Sequence, residues 1–367
     1  MKVTYSVGAK VPGGGIGNVA SHALQALSGH GYLKKAFLTG NNTTFLKDSE
    51  VETYPWLNRI PSYLVKDNLF DFLVSRQVPQ ANIFHGWNNF SLLSLRQAKK
   101  KGAQIIIERA SSHIVTQNNL LKREMKKFKV NFTPVNPLTL KKSVQEYLEA
   151  DFVFVPSQFA YDSFLENGYP KVKLRLIHFG VDIKKFTPQK NKKDNLFRAI
   201  FVGQVGIRKG LPYLLQAWQE LDLKDSELLL IGPIFPDFKD LIKNYNLRKI
   251  RFIDYSNNLT QYYQESDLFV FPSIEEGSAL VTYEAMAAGL PLIVTHNSGS
   301  LVADGQEGFI VETGSVESLK QALLKFYNNR DLLVAYSKKA REKIEKFTWE
   351  NYERNLIKTY EEIGKTR

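Results

Sequence analysis

Residues 269–291 read FVFPSIEEGSALVTYEAMAAGLP, and this stretch decides the fold class. Its first residues are apolar and aromatic, which predicts a buried strand that ends at Pro272-Ser273. A glycine loop follows, and a helix is predicted to begin near Ser278. Open α/β sheets bind ligands at the loops that follow the carboxyl ends of their parallel strands. The stretch therefore predicts an open α/β sheet of parallel strands with a ligand site at this loop.

Two carboxylates, Glu276 and Glu284, are separated by seven residues in this stretch. Glu276 lies in the predicted loop and Glu284 on the predicted helix, so both are expected to face one pocket. The first N–H groups of the helix are available to a phosphate at the same place. Glu275 is expected to be a solvated neighbour. The alternative interpretation is that Glu276 and Glu284 are only solvated carboxylates at a helix end.

Along the rest of the chain, short apolar segments alternate with longer segments of helical periodicity. This alternation is typical of parallel βαβ units. The predicted strands are 2–7, 36–39, 83–85, 104–108, 152–156, 197–202, 227–232, 250–254, 268–272 and 291–295. A polar stretch at 189–195 separates two groups of five. With 367 residues the chain exceeds one ordinary hydrophobic core, so two α/β domains are expected, followed by a terminal amphipathic helix.

Composition excludes several classes of protein. The chain has no cysteine, so it has no disulfide framework, thiolate zinc site or cysteine nucleophile. None of its six histidines forms an HExxH pair, and a transition-metal site is not expected. Its apolar runs fall far short of the roughly 20 residues that span a bilayer. The segment that begins at Met1 does not have the pattern of an export signal. We therefore expect the protein in the cytoplasm or at the inner face of the cell membrane.

The positive charge is concentrated in the first half of the chain. Residues 1–182 contain 23 Lys and Arg against 13 Asp and Glu, whereas the remainder contains 26 against 24. Such a field attracts phosphates, so the candidate partners are anionic lipid headgroups, a lipid pyrophosphate or nucleic acid. Charge alone does not choose among them.

A second segment, residues 199–210, reads AIFVGQVGIRKG and predicts a strand that leads into a glycine-bearing loop before a helix. Arg208 and Lys209 lie side by side in this loop, where they could bind a diphosphate. The alternative is a solvated cation pair on a turn.

At these two segments the chain resembles the retaining GT-B glycosyltransferases of family four. The family's hallmarks are a PS-x-x-EG...EAMA-x-G-x-P segment with two glutamates separated by seven residues, and an FVG-R-x-x-x-x-KG segment. The resemblance covers most of the chain and is strongest over 197–314, although Gln204 stands where a basic residue is common. It implies a GT-B fold, in which two Rossmann-like domains face each other across a deep cleft and a C-terminal helix returns to the first domain.

The resemblance also implies roles for individual residues. Glu276 would contact the donor sugar hydroxyls, Glu284 the ribose hydroxyls, and Arg208 and Lys209 the leaving nucleoside diphosphate. The further donor-binding candidates are Gly14, Gly15, Gly203, Gly277, Ser278, Ala279 and Leu280.

Residues 13–18 read GGGIGN, follow the first predicted strand and suggest a dinucleotide fingerprint. Asn18 stands where that fingerprint requires a third glycine, and the second strand ends in Thr39-Gly40 without an acidic ribose anchor, so a nicotinamide site is disfavoured. In the resembling family a glycine-rich loop here approaches the donor phosphates across the cleft. A purely structural tight turn is nearly as good an interpretation for any one of these glycines.

Two histidines, His85 and His113, follow strands of the first domain and could line the cleft. Family members often carry a histidine after the later of these strands that touches the transferred sugar. Glu108-Arg109 occupies that place here and His113 lies slightly beyond, so His113 is favoured as a catalytic residue over His85. Either could instead be a packed histidine. His178, in a segment that resembles the family's interdomain hinge, is expected to be structural.

Residues 122–130 mix cations with apolar side chains, and they could lie on an anionic membrane with the apolar residues inserted. A solvated helix face is the more ordinary interpretation. Nucleic acid is not expected as a partner, because no recognised nucleic-acid module accompanies the charge.

Together the resemblance implies an acceptor-side domain at 1–185, a nucleotide-sugar-binding domain at 186–345 and a C-terminal helix at 346–367. The implied enzyme moves a sugar from a nucleoside-diphosphate sugar to a glycan or lipid-linked acceptor with retention, in cell-surface or exopolysaccharide biosynthesis. The sugar nucleotide is a co-substrate, and neither a metal nor a further cofactor is expected. The alternatives are an inactive sugar-nucleotide-binding scaffold, or another GT-B enzyme such as an epimerase or phosphorylase.

Overall fold

The computed structural model describes residues 1–188 and 194–365. The first domain is built on a sheet of seven parallel strands in the order β3-β2-β1-β4-β5-β6-β7. These strands are β1 (Val3–Val11), β2 (Leu33–Asn41), β3 (Val51–Thr53), β4 (Ile83–Trp87), β5 (Gln104–Glu108), β6 (Phe152–Val155) and β7 (Leu174–Leu176). Its helices are α1 (Gly14–Gly29), α2 (Tyr63–Gln77), α3 (Leu92–Lys100), α4 (Ile114–Lys127), α5 (Pro137–Glu149) and α6 (Gln158–Glu166).

The second domain is built on six parallel strands in the order β10-β9-β8-β11-β12-β13. They are β8 (Phe197–Val202), β9 (Ser226–Ile231), β10 (Ile250–Ile253), β11 (Leu268–Phe271), β12 (Leu292–Thr295) and β13 (Gly308–Val311). Its helices are α7 (Leu211–Leu221), α8 (Leu259–Gln264), α9 (Leu280–Ala287), α10 (Val316–Asn328) and α11 (Arg330–Ile344). The prediction of two α/β domains with parallel sheets is confirmed.

The central strands form because their side chains are apolar on both faces. All side chains of β8 and of β11 are buried, as expected of parallel strands covered by helices on both sides. The ten predicted strands are all present, and β3, β7 and β13 are additional. Each of these three strands is only three or four residues long and includes partly exposed side chains. Their sequences therefore lack the apolar run by which a buried strand is recognised.

The last helix of the described residues is α12 (Trp349–Lys365), which returns to the first domain. Its buried face includes Tyr352 and Tyr360, and the Tyr360 hydroxyl lies 2.5 Å from Nδ1 of His85 in β4. The ring of Trp349 stacks on that of His22 in α1 at a centroid distance of 4.1 Å. The predicted return of this helix to the first domain is confirmed.

The predicted polar linker at 189–195 falls largely outside the described residues, as do the last two residues of the predicted terminal segment. Of the helices that are described, none combines the length and the apolar character needed to cross a bilayer.

Candidate active site

The cation-bearing loop follows β8 and is held tightly against the end of β11. Arg208 and Lys209 lie in a short 3-10 turn that ends at Gly210, whose φ is +75°. A Cβ atom on Gly210 would lie 1.9 Å from the carbonyl oxygen of Pro272. Only glycine fits this position without strain, and it allows the two cations to lie close to the loop after β11.

Glu276 is the partner of both cations. Its Oε1 contacts Nζ of Lys209 and lies 3.6 Å from Nη2 of Arg208. The Lys209 and Glu276 side chains are mostly buried, at 15% and 13% exposure, whereas Arg208 is 37% exposed. The structure therefore brings together three predicted site residues from two loops that lie 67 positions apart in sequence.

These residues face a cavity of about 670 Å³ between the two domains. The second domain contributes four other predicted donor-binding residues to its lining, namely Gly203, Ser278, Ala279 and Leu280. Helix α9 begins at this wall without a side-chain cap, so the start of the helix offers N–H groups to an anion. The cavity combines two cations, a carboxylate and a helix N-terminus, which are groups that suit a phosphorylated sugar.

The glycine loop of the first domain reaches the same cavity. Helix α1 begins at Gly14, and Gly15 and Ile16 line the cavity opposite Arg208. Gly14 has φ +58° and is not among the lining residues. Gly17 is required by packing, because a Cβ atom there would lie 2.2 Å from the carbonyl oxygen of Lys10. In this loop, Gly15 is the predicted donor-binding glycine that faces the site.

Glu284 lines a different, adjoining cavity of about 860 Å³. This second cavity lies between α1, the segment 180–186 and the start of α12, and Leu280 lines both cavities. The expectation of one pocket for both glutamates is therefore corrected to two cavities that meet at Leu280. The reason is that Glu284 lies one turn further along α9, on the side of the segment that joins the domains.

Burial raises the pKa of Glu284 to about 7, although its hydrogen bond from Tyr263 and the charge of Lys185 lower it. The Tyr263 hydroxyl donates this hydrogen bond to Oε2 at 3.0 Å. Glu284 is thus a half-protonated carboxyl near neutral pH, held in one orientation by a buried tyrosine.

Glu275 is fully buried, and the expectation that it is a solvated neighbour is wrong. Its carboxylate accepts hydrogen bonds from Ser111, Ser112 and Gln117 of the first domain and pairs with Arg208 of the second. Burial alone would raise its pKa, but Arg208 and the serine hydrogen bonds lower the pKa to about 2. The local pattern did not reveal this burial, because it is the other domain that covers the side chain.

The absence of a side chain at Gly277 allows the two domains to approach closely. A Cβ atom on Gly277 would lie 2.1 Å from the carbonyl oxygen of Ala110 in the first domain. The hydroxyl of Ser157, also in the first domain, donates to the carbonyl oxygen of Gly277. The resemblance implies that Gly277 binds the donor, yet it is not among the lining residues of either cavity and instead forms part of the domain contact.

His113 is the N-cap residue of α4, and its Nδ1 accepts from the N–H of Val115 at 3.4 Å. Its ring packs against Tyr147 and Phe164, and it does not line either cavity. Burial, with a contribution from Arg109, lowers its pKa to about 4, so the ring is neutral at pH 7. This environment does not support the catalytic contact predicted for His113.

His85 and His178 are also packed. His85 is fully buried in β4, and its Nε2 lies 3.1 Å from Oε2 of Glu108. His178 is half-buried and its Nδ1 lies 3.1 Å from the carbonyl oxygen of Pro156. Both are held inside the protein rather than presented to the cavity.

The first-domain wall contains residues that the sequence patterns did not single out as site residues. They are Trp87, Asn88, Asn89, Phe90, Glu108, Arg109, Ser111 and Gln117. Arg109 donates to Oδ1 of Asn88 at 2.9 Å and to Oε1 of Gln117 at 2.8 Å, so this wall is a connected polar network. The available signal was the position of WNN and ER at the carboxyl ends of two parallel strands.

Helix α4 does not have the apolar face predicted for membrane insertion. Leu121 and Met125 are buried, whereas Lys122, Arg123 and Lys126 are exposed. The ammonium of Lys127 instead lies 4.6 Å from the ring centroid of Tyr213 in the second domain. The apolar residues of this helix are used for packing, which matches the alternative of a solvated helix face.

Residues 182–343 match the family model described as Glycosyl transferases group 1. An uncharacterized glycosyltransferase of Haemophilus influenzae is 27% identical over 344 residues, which cover 89% of this chain and 91% of that protein. An Escherichia coli UDP-Gal:alpha-D-GlcNAc-diphosphoundecaprenol alpha-1,3-galactosyltransferase is 31% identical over 194 residues, 47% of this chain and 50% of its own length. For several such relatives the chain spans only about half of their length.

Among solved structures, Anabaena Alr3699/HepE in complex with UDP-glucose superposes with a TM-score of 0.71 at 16% identity. The match covers 99% of this chain and 100% of that one. At this identity the similarity establishes the fold, and together with the two parallel sheets it confirms the GT-B fold.

Proposed function

We propose that this protein is a retaining glycosyltransferase of family four that uses a nucleoside-diphosphate sugar, and the match of residues 182–343 to the Glycosyl transferases group 1 model supports this. One observation carries the proposal. Lys209, Arg208 and Glu276 meet in a cavity that both domains line. This arrangement offers positive charge for a diphosphate and a carboxylate for sugar hydroxyls within one site.

In this proposal Arg208 and Lys209 bind the donor diphosphate, and Glu276 releases its ion pairs to accept hydrogen bonds from the donor sugar. Glu284 accepts hydrogen bonds from the ribose hydroxyls in the adjoining cavity. Leu280 lines both cavities, which supports a donor that extends from one into the other. UDP is the nucleotide to test first, because the E. coli relative is named for UDP-Gal and the Anabaena protein was solved with UDP-glucose.

The proposed reaction breaks the bond between the anomeric carbon and the β-phosphate oxygen. The acceptor hydroxyl attacks the same face that the diphosphate leaves, and a phosphate oxygen takes the hydroxyl proton, so the anomeric configuration is retained. Arg208, Lys209 and the start of α9 stabilise the negative charge that develops on the leaving diphosphate. Since protein cations supply this charge, we expect transfer without a divalent metal.

The acceptor would enter against the first domain. Its wall includes the partly exposed side chains of Asn89, Phe90 and Gln117. Aromatic faces and amides are suited to sugar rings and hydroxyls. A glycan or a lipid-linked glycan is the acceptor class that we propose, in cell-surface or exopolysaccharide synthesis. A peripheral position at an anionic membrane would suit this acceptor.

Calorimetric binding of UDP, GDP, ADP and NAD tests the donor site. We expect tight binding of one nucleoside diphosphate, weakened in Lys209→Ala and Glu284→Ala. The matching sugar nucleotides are then supplied with candidate acceptors, with and without EDTA, and the anomeric configuration of the product is read by NMR. Binding of NAD alone, or of no nucleotide, would contradict the proposal, and an inverted product would contradict its retaining mechanism.

A further inference from the structure

The buried carboxylate of Glu275 connects the two domains. Its Oε1 accepts hydrogen bonds from the Ser111 hydroxyl at 2.7 Å, from the Ser112 hydroxyl at 2.6 Å and from the Ser112 N–H at 3.0 Å. Its Oε2 accepts from Nε2 of Gln117 at 2.9 Å. All four donors belong to the first domain, between the end of β5 and the first turn of α4.

The same residue orients Arg208 within the second domain. Nη2 of Arg208 lies 3.0 Å from Oε2 of Glu275, and Nε donates to the Glu275 carbonyl oxygen at 3.1 Å. Nη2 also donates to the Ser111 hydroxyl at 3.1 Å. The guanidinium is thus held by Glu275 and, at a longer distance, by Glu276 of its own domain, and by Ser111 of the facing domain.

These contacts exist only while the two domains are in contact, as they are in this structure. A buried carboxylate is stable as an ion only while its hydrogen bonds and its counter-charge are in place. If the domains separated, Glu275 would lose Ser111, Ser112 and Gln117, and Arg208 would lose Ser111. The tight approach of Gly277 to Ala110 places this cluster at the contact between the domains.

We propose that Glu275 is a positioning residue that aligns Arg208 for the donor diphosphate only while Ser111, Ser112 and Gln117 of the first domain contact it. Domain closure and completion of the diphosphate site are then one event. The inference rests on the proposed function, since it assigns the donor diphosphate to Arg208. It differs from the donor-site assignment in that Glu275 itself does not line either cavity.

Glu275→Gln tests the link to Arg208. The variant keeps the volume of the side chain and one oxygen for the two serines, but it turns an NH2 group toward Arg208 and Gln117, which both contact Oε2. We expect UDP affinity and donor kcat/KM to fall about tenfold, the loss of a charge-assisted contact. Glu220→Gln is the matched control, because it removes the exposed ion pair with Lys320 in the same domain. Thermal melting checks that each variant is folded.

Ser112→Ala tests the link across the domains. Ser112 is fully buried and does not line either cavity, so a change in UDP affinity has to act through Glu275. We expect a loss of about threefold to tenfold. In the Glu275→Gln/Ser112→Ala double variant we expect little further loss, since coupled residues are not additive.

The possible outcomes separate the role of Glu275 from the proposed function. If the unmodified protein binds UDP and both folded variants bind it equally well, the role of Glu275 is refuted and the proposed function stands. The role of Glu275 is also refuted if the two changes lower the affinity additively, because Ser112 then acts independently of Glu275. If the unmodified protein binds none of UDP, GDP and ADP, the proposed function fails and the role of Glu275 fails with it.

Discussion

The two walls of the interdomain cleft are built differently. The second-domain wall includes the start of α9 and two loops, 203–209 and 272–278, whose charged side chains pair with one another. The first-domain wall draws on the ends of β4 and β5 and on the glycine loop. Its polar side chains form hydrogen bonds within their own domain, as Arg109 does with Asn88, and Ser111 and Gln117 also bind Glu275 of the second domain.

This difference indicates that the two walls have different roles. Lys209 and Glu276 pair with each other in this structure. When a donor enters, Lys209 can bind a phosphate in place of Glu276, and Glu276 can bind a sugar hydroxyl in place of Lys209. A preassembled network such as Arg109 with Asn88 keeps its shape and selects what fits against it. We therefore expect substitutions in the second-domain wall to reduce chemistry and those in the first-domain wall to change the choice of acceptor.

The largest effect is expected for Lys209→Ala. The substitution removes a cation from the proposed diphosphate site and leaves Glu276 with Arg208 alone, at 3.6 Å. A charge-assisted hydrogen bond contributes roughly 1.5–3 kcal/mol, so donor kcat/KM should fall about tenfold to a hundredfold. Lys243→Ala, which removes an exposed ion pair of the same domain, is the control. Turnover that stays at the control level would remove Lys209 from the reaction.

An intermediate effect is expected from the ionisation of Glu284. Its pKa of about 7 means that only part of the population can offer a full carboxylate to ribose hydroxyls at neutral pH. UDP affinity should therefore rise about tenfold between roughly pH 6 and pH 8, as the carboxyl ionises. Calorimetry across this range measures the effect.

Glu284→Gln is the control for this pH dependence, because it leaves only the contribution of the nucleotide's own phosphate. Identical pH profiles for the two proteins would contradict the ribose contact.

The raised pKa of Glu284 also makes the free energy of unfolding depend on pH. An ordinary carboxyl value of 4.5 in the unfolded chain and about 7 in the folded protein means that the stability contributed below about pH 4.5 is lost as the pH rises through 7.

Much of the second-domain wall could be predicted from sequence, because each of its parts is contiguous. A strand, a glycine loop and a helix follow one another in 269–291, so the position of Glu276 at the end of β11 follows from the local pattern. The same holds for Arg208 and Lys209 after β8. Their meeting in one cavity follows from the neighbouring places of β8 and β11 in the sheet.

The remaining features depend on contacts between the domains. Glu275 and Glu276 are adjacent in sequence, yet one is buried by the first domain and the other faces the cavity. No local period distinguishes them, since the residues that cover Glu275 lie more than 150 positions away. The separation of Glu284 into its own cavity likewise depends on segment 180–186 and α12, which only the folded chain brings to α9.

The smallest effect is expected for His113→Asn in the first domain. Asparagine is as good an N-cap as any residue, so the start of α4 is retained while the imidazole is removed. The ring is neutral, buried and in contact with Tyr147 and Phe164, so its loss should lower the melting temperature. Donor kcat/KM should change by less than about threefold, corresponding to under roughly 0.7 kcal/mol of transition-state free energy. A hundredfold loss of turnover with unchanged melting would instead restore the catalytic role of His113, and the first-domain wall would then take part in chemistry as well as in acceptor choice.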